Sequence, residues 1–203
     1  LRTPVAVFEG SRELLQRKSD RSEDDKKAFA RMRRTVEDME GLIETLLLLA
    51  RGEEVERIHE IRCLNDLVPG FVEQLAPMAA DRGLDLSIDE QAQLWVKSPS
   101  RVIQIILTNL LRNAINYTQQ GSVVVRIREN TISVIDTGIG MSPEELQHAF
   151  EPFYRGERSR ASSMGHGLGL SIVRRLVHQF DWPIHVQSNV GKGTEVTIEF
   201  FEG

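Results

Sequence analysis

The chain has 203 residues, of which 40% are hydrophobic and 27% charged, so one large or two small domains can bury a real core and nothing reads as disordered. A formal net charge of −5 argues against nucleic-acid binding through general attraction to phosphate. The single cysteine, Cys63, excludes an internal disulfide and a cysteine-rich zinc site, and no run reaches the apolar length of a membrane span.

In chain order, Leu1, Val5, Phe8, Leu14 and Leu15 suggest a first helix, with Gly10 a weak point inside it. Arg17 to Lys27 is very polar and reads as a connecting turn. From Phe29 onward, Met32, Val36, Met39, Ile43, Leu46 and Ala50 follow at alternating steps of three and four, the heptad seam of a coiled coil or bundle. Residues 1–54 are therefore expected to form a helical hairpin. A hairpin cannot cover its own seam, so a second copy would complete a four-helix bundle, and a homodimer is expected. Arg51-Gly52-Glu53-Glu54 ends the seam, and the joint between domains is placed from there to about Leu64, with 55–203 forming the second domain.

Past the joint the pattern mixes helix and strand. Asn65 could cap a helix to about Arg82 that turns Phe71, Leu75 and Met78 inward. Leu84 to Ile88 alternates and Leu94-Trp95-Val96 is short and apolar, so both read as strands. A strongly apolar helix is expected over about Pro99 to Tyr117, then a hairpin of Ser122 to Arg128 and Thr131 to Ile135 around Glu129-Asn130. A short helix near Pro143 to Phe150, a loop to Gly167 and a helix from Leu168 to about Phe180 follow. Strands at Ile184 to Gln187 and Thr194 to Phe200 close the chain.

Three stretches could carry chemistry. Asp136-Thr137-Gly138-Ile139-Gly140-Met141 ends a strand in an acid followed by spaced glycines, which sets a carboxylate beside exposed backbone; the same pattern also occurs in ordinary turns. Asn109 and Asn113 lie four apart on one helix face. Their amide oxygens suit Mg²⁺, and equally both amides could bond neighbouring backbone. Gly165-His166-Gly167-Leu168-Gly169-Leu170 opens a helix and could cradle phosphate, or serve a flexible loop or close packing. It is not a Walker A loop, because no Gly-Lys-Ser/Thr follows the glycines.

Taken in order, Asn109-Leu110-Leu111-Arg112-Asn113-Ala114, Asp136 to Gly140, Phe150-Glu151-Pro152-Phe153-Tyr154-Arg155, Gly165 to Leu170 and Gly191-Lys192-Gly193-Thr194 closely resemble the five boxes of sensor histidine kinases. Leu1-Arg2-Thr3-Pro4 resembles the tail of that family's phosphoacceptor box, His-Glu-Leu-Arg-Thr-Pro. The resemblance spans essentially the whole chain. It implies an α+β protein: a dimerising phosphotransfer hairpin, then a two-layer α/β sandwich with a mixed sheet of about five strands, the GHKL ATP-binding fold.

By that resemblance Asp136 would accept a hydrogen bond from the adenine amino group of ATP. Asn113 would ligate Mg²⁺, with Asn109 beside it near the phosphates. Tyr117 and Arg155 would contact the phosphate chain, and Gly138 and Gly140 would let backbone approach the nucleotide. Residues from about Met141 to His166 would form a mobile lid. Gly165, His166, Gly167, Leu168 and Gly169 would make the box at the start of the phosphate-capping helix, and Thr194 would support the adenine pocket. The implied chemistry is transfer of the γ-phosphoryl group of ATP to a histidine, then to an aspartate of a response-regulator receiver domain, with the polar joint near Gly52 as hinge. The implied place is the cytoplasmic side of a bacterial inner-membrane receptor, this part making no membrane contact itself.

Three positions depart from the pattern. The phosphoacceptor histidine is expected two residues before Leu1, so the 203 residues are expected to bind ATP without autophosphorylating. Asn116 stands where the family often has lysine, removing a charge from the phosphate site. His166 replaces a common Thr or Ser. Thr3, four residues after the expected histidine, would occupy the position that orients water when such kinases dephosphorylate their regulator. Two rivals remain at this level: a non-catalytic nucleotide-binding dimer scaffold, and a GHKL-type ATPase. The latter needs an acid early in the pocket helix, where this chain has Gln104, Ile105, Ile106, Leu107 and Thr108.

Overall fold

The computed structural model describes residues 61–154, 156 and 167–201. The chain divides into two units, Leu1–Leu49 and Ala50–Gly203, and every described residue lies in the second. The expected hairpin over 1–54 with its Thr3, and Arg155, Gly165 and His166, lie outside the described residues.

The elements are β1 (Ile61–Cys63), α1 (Leu64–Ala80), β2 (Asp85–Glu90), β3 (Trp95–Lys97), α2 (Ser100–Tyr117), β4 (Ser122–Arg128), β5 (Thr131–Asp136), α3 (Pro143–His148), α4 (Gly169–Gln179), β6 (Ile184–Asn189) and β7 (Gly193–Glu199). β1 and β3 make a small antiparallel pair, and a five-stranded sheet runs β2-β4-β5-β7-β6. Its β2–β4 pairing is parallel and the other three are antiparallel, so the sheet is mixed, as expected. The parallel pair is possible because α2 carries the chain back across the sheet between β2 and β4. Helix α2 touches α1, α4, β4 and β5, and nine of its residues are buried. It is apolar over more than one stripe because it is covered from several sides.

Register lines up the helix-facing side chains in rows, since alternate residues of a strand share a face. One row is Ile127, Ile132, Ile198 and Ile184; the next is Val125, Val134, Val196 and Val186. Ile127, Val125 and Ile198 are fully buried, and each such side chain contributes about 1.5–3 kcal/mol by leaving water. The opposite face carries Asp89 paired with Arg126 at 2.8 Å and Ser133 hydrogen-bonded to Thr197 at 2.7 Å. Polar pairs thus stand on the face away from the helices, although Ser133 itself is buried there.

Two expectations about α1 need correction. Asn65 is not its cap: the helix starts at Leu64 with Cys63 at the N-cap position. The Asn65 side chain instead accepts from Leu94 N at 3.1 Å and donates to Ala92 O at 3.1 Å and Glu90 Oε2 at 2.9 Å. It fastens the first turn of α1 to the β2–β3 connection. The buried stripe is Leu64, Val68, Leu75 and Ala79, which leaves Phe71 and Met78 only partly covered at one edge of it. Cys63 is buried, as its apolar character suggests. Among the described residues no helix is long and apolar enough to cross a membrane.

Candidate functional site

A third row lies on the same face of the sheet, and there the chemistry changes. Val123 on β4 is followed by Asp136 on β5, Thr194 on β7 and Ser188 on β6. Three polar groups thus occupy the end of a surface that is otherwise isoleucine and valine. A cleft opens to solvent above this end. Val134, Val196, Ile139, Met141, Leu110, Ala114 and Leu170 supply its apolar walls, with Asp136 and Thr194 at the sheet and Asn113, Tyr117, Glu145 and Tyr154 around them.

Asp136 is 9% exposed. Its Oδ1 accepts the backbone N–H of Gly138 at 2.8 Å and of Thr194 at 3.3 Å, while Oδ2 receives no hydrogen bond from any described residue. Burial pushes its pKa up to about 6, against the lowering effect of those two N–H groups. One carboxylate oxygen is thus fixed by backbone, and the other is offered to the cleft. An acceptor at the bottom of an apolar slot suits a flat heteroaromatic ring bearing an amino group.

The loop after Asp136 is held from three sides. Ile139 N donates to Tyr117 O at 3.1 Å, Gly191 N donates to Ile139 O at 2.8 Å, and Met141 N donates to Ser188 Oγ at 2.8 Å. Gly140 has φ +62°, and a Cβ there would collide with the carbonyl of Asn189; at Gly138 a Cβ would meet the Tyr117 carbonyl. These glycines are required by close approach of protein backbone to protein backbone. Past the loop, Ser142 and Glu145 cap α3 reciprocally: Ser142 Oγ accepts from Glu145 N at 3.2 Å and Ser142 N donates to Glu145 Oε2 at 2.9 Å. Glu145 therefore borders the cleft with one oxygen already engaged.

At the far end of the cleft α2 meets the start of α4. Added to Gly169, a Cβ would lie 3.1 Å from Asn113 Nδ2 and 3.2 Å from Asn109 Oδ1. Both asparagine amides thus face the first turn of α4, whose N-terminus has no side-chain cap. Asn109 Nδ2 also donates to Ile105 O at 2.8 Å, so half of this amide is spent on its own helix while its oxygen stays beside Gly169. Uncapped helix N–H groups and neutral amides make a surface suited to an anion.

The structure therefore brings Asn113, Tyr117, Asp136, Gly140 and Thr194 to one cleft and sets Asn109, Gly167, Leu168 and Gly169 at its α4 end. Gly138 stands behind the Asp136 carboxylate rather than on the wall. Asn116 does not line the cleft, and its carbonyl accepts from Arg82 Nη1 at 3.3 Å. Ser188 is not among the expected site residues, because the expected strand stops at Gln187; the signal for it is the alternation Ile184, Val186, which calls for an apolar residue at 188.

Comparison with known proteins follows the same division. Residues 99–202 match the family model described as "Histidine kinase-, DNA gyrase B-, and HSP90-like ATPase", and residues 1–55 match "His Kinase A (phospho-acceptor) domain". Sensor histidine kinase RppB of Synechocystis is 35% identical over 78% of the chain, and sensor histidine kinase YvrG of Bacillus subtilis 32% over 98%. The chain spans 37% and 36% of the lengths of these relatives. Among solved structures, full-length ShkA in complex with AMPPNP aligns over 98% of this chain and 43% of its own, with a TM-score of 0.70 at 24% identity. The Acinetobacter baumannii histidine kinase AdeS aligns over 99% of this chain and 97% of its own, with a TM-score of 0.64 at 20% identity. At those identities the likeness is one of fold.

Proposed function

The chain belongs to the sensor histidine kinases, and we propose that its second unit binds Mg-ATP and presents the γ-phosphoryl group for transfer to a histidine imidazole. The observation that carries this reading is the cleft itself: a buried acceptor, Asp136 Oδ2, at one end, and asparagine amides facing an uncapped helix start at the other. An adenine amino group fits the first end and a phosphate chain the second. Asp136 selects the base. Asn113, Asn109 and the first turn of α4, with Gly167, Leu168 and Gly169, receive the phosphates, and Tyr117 borders them.

Mg²⁺ fits this donor set through the Asn113 amide oxygen, because the ion takes few protein oxygens and completes its shell with water and phosphate. Among the described residues no cluster of His, Cys, Asp and Glu offers a separate metal site. When bound, the ion supplies charge neutralisation on the phosphate oxygens. Phosphoryl transfer needs in-line placement and stabilised charge more than covalent help, and the residues present supply placement. Nothing on α2 supports hydrolysis instead. Ile105, Ile106 and Leu107 are buried and apolar, and Gln104 Oε1 accepts from Arg101 at 2.8 Å.

In this reading the acceptor is a histidine outside the 203 residues, since none of the five histidines falls within 1–55. The phosphoryl group passes on to the aspartate of a response-regulator receiver domain. The segment 1–55 dimerises the protein, Thr3 serves dephosphorylation of the regulator, Arg155, Gly165 and His166 belong to the lid, and the whole lies on the cytoplasmic side of a membrane receptor. The test is calorimetry of the chain with Mg-ATP, followed by labelled ATP on a chain extended upstream. Micromolar binding and an acid-labile, base-stable phosphate are expected. No binding, with the fold intact by circular dichroism, would refute the site.

A further inference from the structure

The polar row holds a residue that no box of the family resemblance includes. Ser188 on β6 faces Thr194 on β7 in register, and its hydroxyl has three partners. Met141 N lies 2.8 Å away, Gly193 O 3.1 Å and Thr194 Oγ1 2.9 Å. A serine hydroxyl has one proton to donate and two lone pairs to accept with. Met141 N–H can only donate, and the Gly193 carbonyl can only accept. The Ser188 proton therefore goes to Gly193 O, and the remaining lone pair must receive the Thr194 proton. All three bonds are satisfied in this one arrangement.

The consequence falls on the cleft. Thr194 lines it, and with its proton committed to Ser188 it can offer a ligand lone pairs only. Next to it on the sheet Asp136 Oδ2 is the other acceptor, because Oδ1 is taken by Gly138 N and Thr194 N. We propose that Ser188 is a positioning residue for base recognition: through one hydroxyl it anchors Met141 at the root of the 141–154 segment and fixes Thr194 as a hydrogen-bond acceptor, so that the cleft favours a 6-amino purine over a 6-oxo purine. The inference rests on the nucleotide-site reading above. Removing the hydroxyl frees the Thr194 proton to turn toward the cleft, where it can donate to an oxo group.

The experiment is calorimetric titration of the 203-residue chain with Mg-ATP and Mg-ITP, with the melting temperature of every variant recorded. Ser188→Ala is expected to lower ATP affinity by about fivefold, the effect of one lost hydrogen bond, and to shrink the ATP-to-ITP ratio. Ser188→Thr keeps the hydroxyl and restores the ratio. Thr194→Val shrinks the ratio by itself, and adding Ser188→Ala to it changes the ratio no further, because the two groups act as one unit. An unchanged ratio in Ser188→Ala overturns the proposal even if both affinities fall, since parallel loss is what a merely structural serine would give. Wild type failing to bind ATP, or Asp136→Asn binding like wild type, overturns the site reading and this proposal with it.

Discussion

Two neighbouring parts of one sheet surface do opposite jobs. The isoleucine row, Ile127, Ile132, Ile198 and Ile184, and the valine row beside it lie under the helices. One step along the same strands the equivalent positions hold Asp136, Thr194 and Ser188, of which the first two line the cleft. The backbone geometry is continuous across the boundary, so the difference is side-chain chemistry alone. Apolar rows hold the fold by leaving water; the polar row gives up part of that stability and leaves Asp136 Oδ2 without a donor among the described residues.

The sharpest way to break the comparison is to exchange effects between the rows. Ile198→Ala is expected to cost about 2–5 kcal/mol of stability through the lost burial and the cavity it leaves, read by urea unfolding. ATP affinity per folded molecule should stay at the wild-type value. A large loss of affinity in this variant would mean that the rows are not separable.

Asp136→Asn is the mirror case. Loss of a charge-assisted hydrogen bond is expected to weaken ATP by about 10–100-fold in calorimetry, while the melting temperature at pH 8 is no lower than wild type. The stability direction follows from linkage. Burial, opposed by the Gly138 and Thr194 N–H groups, holds the folded pKa at about 6 against the ordinary 3.8 of an aspartate. The folded state therefore binds the proton more tightly than the unfolded one between those values. Asp136 stabilises the unliganded fold less as pH rises from 3.8 to 6, and the loss is complete above that.

Ligand binding carries the opposite sign. An amino donor prefers the ionised carboxylate, so ATP affinity should fall as pH drops through 6, approaching about tenfold per unit below it. Asp136→Asn should lack this component, and subtracting its profile removes the titration of ATP itself. Identical pH profiles for the two proteins would contradict the assignment. The smallest effect belongs to the far face of β5. Ser133→Ala loses its bond to Thr197 and is expected to cost about 1 kcal/mol by chemical denaturation, with ATP affinity untouched.

Much of this molecule was legible in the sequence, because helices and strands are written in short-range periodicity. The hairpin at Glu129-Asn130 forms as read, pairing Arg128 with Thr131, and α2 starts at Ser100, one residue past the expected Pro99. Asp136 and Asn113 stood out because an acid at a strand end and amides inside a helix are locally unfavourable choices that invite a reason. The three-residue β1 was not legible: its partner β3 lies more than thirty residues on, and so short a run carries no period. Asn65 looked like a cap because side chains of its type cap helices, but backbone of the β2–β3 connection reached it first.

By itself the sequence determined the family, the order of the elements and which side chains could carry chemistry. Tertiary structure decided what those side chains touch. Thr194 N reaches Asp136 across 58 residues, and Met141 N reaches Ser188 across 47. Strand order and register alone create such contacts, and they are set by packing of whole apolar faces rather than by any local pattern. That is why Asp136 could be picked out from its own neighbours in the chain, whereas the partners of Ser188 emerged only once β6 lay beside β7.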